Sequence, residues 1–77
     1  MNGLNDIEKR ILKFLQLHKV AFPVNYIAKK TELSWETVQS YLESMEEDEY
    51  VIREEWQGKD RWRFNFEKYG KLKRKYR

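Results

Sequence analysis

The chain has 77 residues, 40% of them apolar and 16% aromatic, which suits one compact domain with a single core and argues against wholesale disorder. It holds no cysteine and one histidine, so neither a disulfide framework nor a thiolate- or imidazole-built metal site is expected. The net charge of +3 decides little alone; no apolar run approaches the roughly 20 residues that cross a bilayer, no signal-peptide layout opens the chain, and a soluble cytoplasmic protein with no membrane partner is expected.

Asn5 or Asp6 is placed to cap a first helix. Ile7, Ile11, Phe14, Leu15 and His18 then recur at three- and four-residue spacing on one face, and Leu12 extends it. The helix should end near His18 or Lys19, with His18 serving a free carbonyl, because Val20-Ala21-Phe22-Pro23 reads as extended and residues before proline avoid the helical region. Asn25 is expected to cap a short second helix from Tyr26 to about Thr31, followed by the turn Thr31-Glu32-Leu33. Ser34 then caps a third helix whose buried stripe is Val38, Leu42 and Met45, with Glu36 near its positive end.

From Tyr50 the period changes to two. Val51 to Trp56 and Arg61 to Phe66 alternate around Gln57-Gly58-Lys59-Asp60, which predicts a hairpin. Trp62, Phe64 and Phe66 should pack on the helices, while Arg61 and Arg63 face water within reach of cross-strand charge pairs. The expected fold class is α+β, mostly α, with a three-helix core and a C-terminal β-hairpin over residues 1–67, then a basic tail over 68–77.

Charge is segregated along the chain. Ser34 to Glu55 carries one arginine against eight carboxylates, and Trp56 to Arg77 carries nine bases against two. The high charged content, 38%, resembles that of proteins from hot environments, so a thermophilic, archaeal source is expected.

The pattern Ile27-Ala28, then Leu33-Ser34, Thr37-Val38, Tyr41-Leu42 and Tyr50-Val51 resembles the winged helix-turn-helix domains of archaeal and bacterial transcription regulators, over the 60 positions from Ile7 to Phe66. The resemblance implies that Ala28 lets two helices approach closely, that Leu33 plugs the core, and that the third helix meets duplex DNA. Ser34, Trp35, Thr37, Gln39 and Ser40 would then face the DNA, with Glu36 beside them. Two positions depart from the family pattern, Glu32 and Glu49, each standing where glycine is usual. The charge departs further, because Glu36, Glu43, Glu46 and Glu47 leave the presumed reading helix unable to neutralise phosphate.

Each candidate contact also has a plainer reading. Trp35 either stacks on a base or sugar, anchors a protein, or folds back over the turn. Gln39 either reads adenine or is merely solvated. Lys59, Arg61 and Arg63 either hold the DNA backbone or minor groove, or form salt bridges with Glu54 or Glu55. Lys73, Arg74 and Lys75 lie in the tail, a nucleic-acid-binding arm or a solubilising terminus. No serine, acid or lysine constellation supports catalysis, and no enzyme is expected. Three functions follow in order: a DNA-binding transcriptional regulator without a cofactor, acting alone or as a homodimer; a protein-interaction module whose acidic third helix meets a basic partner; and an RNA or single-strand binder with Trp56, Trp62 or Tyr76 stacking on bases.

Overall fold

The computed structural model describes residues 4–70. Helix α1 spans Asp6–Leu17 and is closed at its start by a reciprocal capping box. The Asn5 side chain accepts from the Glu8 N–H at 2.8 Å, and the Glu8 carboxylate accepts from the Asn5 N–H at 2.9 Å, so two otherwise unpaired donors are satisfied. Ile11 and Leu15 are fully buried and Leu12 nearly so, as the spacing requires.

Helix α2 spans Val24–Thr31, two residues earlier than the sequence suggested, and its N-cap is Pro23, not Asn25. Proline's φ of −71° suits a helix entry and it has no N–H to satisfy, so no side-chain cap forms and Asn25 stays exposed in the first turn. Glu32 ends the helix in the left-handed region at φ 61°, and the Leu33 N–H reaches back to the Ala28 carbonyl at 3.1 Å.

Helix α3 spans Trp35–Glu47. The Ser34 hydroxyl caps it by accepting from the Thr37 N–H at 3.2 Å, and Val38, Leu42 and Met45 form its buried stripe. Glu49, also left-handed at φ 65°, turns the chain into the hairpin.

Strands β1, Val51–Trp56, and β2, Lys59–Phe64, pair antiparallel, with Val51 opposite Phe64 and Trp56 opposite Lys59. The connection is shorter than the four residues expected. Only Gln57 and Gly58 form it, at φ 53° and 78°, the two positive values of a tight two-residue turn whose twist matches the strands. Lys59 and Asp60 therefore belong to β2. Phe22 adds a one-residue third strand, exchanging both backbone hydrogen bonds with Trp62 at 2.8 and 2.9 Å. That bridge ties the α1–α2 connection to the hairpin.

Alternation along the pair puts Val51, Trp62 and Phe64 on the helical core and Trp56, Lys59, Arg61 and Arg63 on the other face. Phe66 does not extend the strand. It opens a π-helical turn, Phe66–Gly70, and packs edge-on against Phe64. Buried Asn65 joins this turn to the start of the hairpin. Its amide donates to the Glu49 carbonyl at 2.8 Å, its side-chain oxygen accepts from the Lys68 N–H at 3.1 Å, and its own N–H donates to the Tyr50 carbonyl. Tyr69 stacks on Tyr50, so the packed chain continues through it.

Candidate nucleic-acid interface

The outward side of α3 is acidic in space as well as in sequence. Among the described residues, Glu36, Glu43, Glu47 and Asp48 have no cation within salt-bridge distance. Glu46 is the exception on this helix, paired with Arg53 at 2.7 Å. Arg53 also bonds Asp60 at 3.2 Å and lies 4.9 Å over the Trp62 ring. One guanidinium thus clamps the end of α3 to both strands, and hydrogen bonding to Glu46, with Asp60 adding to it, holds its pKa above the ordinary arginine value. Sequence shows Arg53 only as a charge, because its place opposite Trp62 depends on the hairpin register.

The helix residues expected to face DNA are in part committed to one another. The Ser34 hydroxyl donates to the Thr37 hydroxyl at 2.8 Å while it caps the helix. The Gln39 amide donates to Glu43 at 2.6 Å, so reading a base would require that bond to break. Ser40 is exposed beside Glu36 and Tyr41. Trp35 is 57% exposed and does not fold away over the turn. At the edge of the helix, Tyr41 accepts from the Asn5 side chain at 3.2 Å, which fastens the start of α1 to α3.

The hairpin cations divide into two kinds. Arg63 is held by Glu54 at 2.5 Å and Glu67 at 3.1 Å, and those two bonds raise its pKa. It thus adopts the cross-strand pairing weighed as its plainer reading, with a second carboxylate supplied by the π-helical turn. Lys59 and Arg61, nearer the tip, have no carboxylate within salt-bridge distance among the described residues. Arg61 lies 4.5 Å over the Trp56 ring. These two residues, with Pro23, Asn25, Trp56 and Gln57, line a cleft of about 320 Å³ between the start of α2 and the hairpin tip. Of the cleft residues, Pro23, Asn25 and Gln57 have no part in the interface expected from sequence, because only folding places the start of α2 beside the tip.

Lys73, Arg74 and Lys75 lie outside the described residues. Their segment still matters to the charge balance. Residues 4–70 hold eleven Lys and Arg against thirteen Asp and Glu, a net of −2, whereas the whole chain is +3. The difference is the five cations of residues 71–77. His18 stands at the end of α1, as its sequence position predicts, and caps it, its backbone N–H donating to the Leu15 carbonyl at 3.3 Å. Its ring packs against Phe14 and Phe22. No described helix is long and apolar enough to cross a membrane.

No family model matches the chain, and no curated protein is significantly similar to it. Among solved structures it is similar to the homodimeric winged helix-turn-helix DNA-binding domain, fragment 1–100, of a possible ArsR-family transcriptional regulator from Mycobacterium bovis. The TM-score is 0.76 at 20% identity, over 88% of this chain and 61% of that one. Three helices followed by a two-stranded antiparallel hairpin, aligned at that level, make the fold a winged helix-turn-helix, with β1 and β2 as the wing.

Proposed function

We propose that this chain is a small duplex-DNA-binding protein, a cytoplasmic and non-enzymatic transcriptional regulator that needs no cofactor. The observation that carries the reading is the pair of uncommitted cations, Lys59 and Arg61, on the wing of a winged-helix fold whose solved neighbour is a DNA-binding domain. Lys59 and Arg61 supply the phosphate contacts of the folded body, and Lys73, Arg74 and Lys75 of the tail add sequence-independent affinity. Arg63 buttresses the wing through Glu54 and Glu67. Helix α3 contributes shape, with Ser34, Trp35, Thr37, Gln39 and Ser40 nearest the groove, but no positive charge. Because the solved neighbour is homodimeric, two copies on paired half-sites are the expected assembly.

Fluorescence anisotropy with a labelled random duplex tests this. Binding that weakens steeply between 50 and 200 mM salt supports it, and absence of binding at low salt overturns it.

A second reading rests on Glu36, Glu43, Glu47 and Asp48, which have no salt-bridge partner among the described residues, along the helix that exposed Trp35 opens: α3 as a contact surface for a basic protein. Charge reversal at Lys59 and Arg61 separates the two, since it sharply weakens DNA binding and leaves an acidic-face interaction intact.

A further inference from the structure

The wing-tip cleft has a composition that duplex backbone binding does not require. A phosphate needs cations or N–H donors alone. This cleft also offers an aromatic face, a proline wall and two side-chain amides, from Trp56, Pro23, Asn25 and Gln57. Trp56 is 53% exposed although Arg61 covers part of its ring at 4.5 Å. A large apolar ring left half in water at a hairpin tip adds nothing to the core, and the guanidinium contact biases its orientation. The positive φ values at Gln57 and Gly58 keep the tip tight, with Trp56 and Lys59 as the closing pair. Neither the Asn25 nor the Gln57 side-chain amide has a hydrogen-bond partner among the described residues. Lys59 and Arg61 have no carboxylate within salt-bridge distance among those residues either.

We infer that this cleft binds an unpaired nucleotide of DNA, such as the last residue of a frayed or overhanging duplex end. Its base stacks on Trp56, its edge bonds Asn25 or Gln57, and its phosphate is met by Lys59 and Arg61. The volume of about 320 Å³ lies at the lower end for small-ligand pockets and suits one nucleotide. An internal paired base has both faces stacked and a terminal pair still has its pairing edge engaged, so only an unpaired base offers the indole a free face and the Asn25 or Gln57 amide a free edge. Trp62, the other wing tryptophan, is fully buried and has no such role. The inference rests on the DNA-binding reading and adds a preference for duplexes with an unpaired nucleotide.

The test compares three ligands with the full chain at one salt concentration: a blunt duplex, the same duplex with a single 3′-overhanging 2-aminopurine nucleotide, and deoxyadenosine monophosphate as competitor. The overhanging duplex is expected to bind about tenfold tighter than the blunt one, a fold-change in the range one aromatic–base stack provides. Stacking should quench the 2-aminopurine emission. In Trp56→Ala the ratio of the two affinities falls to about one, whereas Trp56→Tyr, which keeps a stacking face, retains most of it. Circular dichroism confirms that both variants fold. Equal affinity of wild type for the two duplexes overturns the inference and leaves the DNA-binding reading standing. No binding of either duplex overturns both. Displacement of the overhang by micromolar deoxyadenosine monophosphate also overturns it, because the ligand is then a free nucleotide.

Discussion

Neutralising Lys59 and Arg61 together should do far more to DNA binding than neutralising Arg63, although all three sit on one face of the hairpin. In the double variant Lys59→Gln/Arg61→Gln the chain loses two cations that have no carboxylate within salt-bridge distance among the described residues, so both are available to phosphate. Each phosphate neutralised contributes about 0.9 to the slope of log K against log salt. Two contacts therefore steepen the wild-type slope by about 1.8, which over a fourfold rise in salt is roughly a twelvefold loss of affinity that the variant does not suffer. Arg63→Gln removes a guanidinium already shared between Glu54 and Glu67. It should leave the slope close to wild type and cost at most about 1 kcal/mol of stability per exposed pair. The assay is anisotropy of a labelled duplex at four salt concentrations from 50 to 200 mM, with urea unfolding alongside. Equal slopes for wild type and the double variant, or a slope loss in Arg63→Gln as large as in the double variant, would refute the division of the wing cations.

Asn65→Ala leaves the Glu49 carbonyl and the Lys68 N–H, both in half-buried contacts, without their partner and should cost about 1–2 kcal/mol in urea unfolding; a loss below ~0.5 kcal/mol would show the bonds to be dispensable. Glu32→Gly releases a side chain from the left-handed region at φ 61° and should stabilise by on the order of 1 kcal/mol, seen as a higher urea midpoint with unchanged m. Glu49→Gly should gain less, because it also removes the 2.8 Å pair with Lys68. That pair has a pH signature: its hydrogen bond to Lys68 holds the Glu49 carboxylate below its ordinary value of 4.5. A carboxyl with a depressed folded-state pKa stabilises above the unfolded value and loses that contribution as pH falls through the folded one, so the attachment of the last turn should weaken below about pH 4.5. Tyr69 resonances report it, and in Glu49→Gln they should show no such transition.

The helices and their caps were legible because each rests on local rules. Ile11 and Leu15 repeat at helical spacing, Asn5 and Ser34 have a free side-chain oxygen before an apolar run, and the strands alternate. Where two local rules competed, the weaker signal misled: Asn25 is a good capping residue, but Pro23 already sets the entry angle of α2. Lys59 and Asp60 are polar like loop residues, so the sequence suggests a longer turn, yet the twist of the strands favours two residues with positive φ. What depended on register was out of reach. The Phe22–Trp62 bridge is a single pair without a period, the Arg53 clamp needs Trp62 to lie opposite it, and Arg63 finds Glu67 only because the chain turns at Phe66. The charge contrast between α3 and the wing was legible in full, since it is a matter of composition; which wing cations remain free was not.

On the proposed function, the binding energy lies in the wing and tail, and α3 supplies only shape. Amide chemical-shift perturbation on adding a short random duplex to the full chain at low salt tests that placement most directly. The largest shifts should fall on Gln57 to Arg61 and the tail, with smaller ones at Ser34 to Ser40. Shifts confined to the acidic end of α3, or none at all, would contradict it.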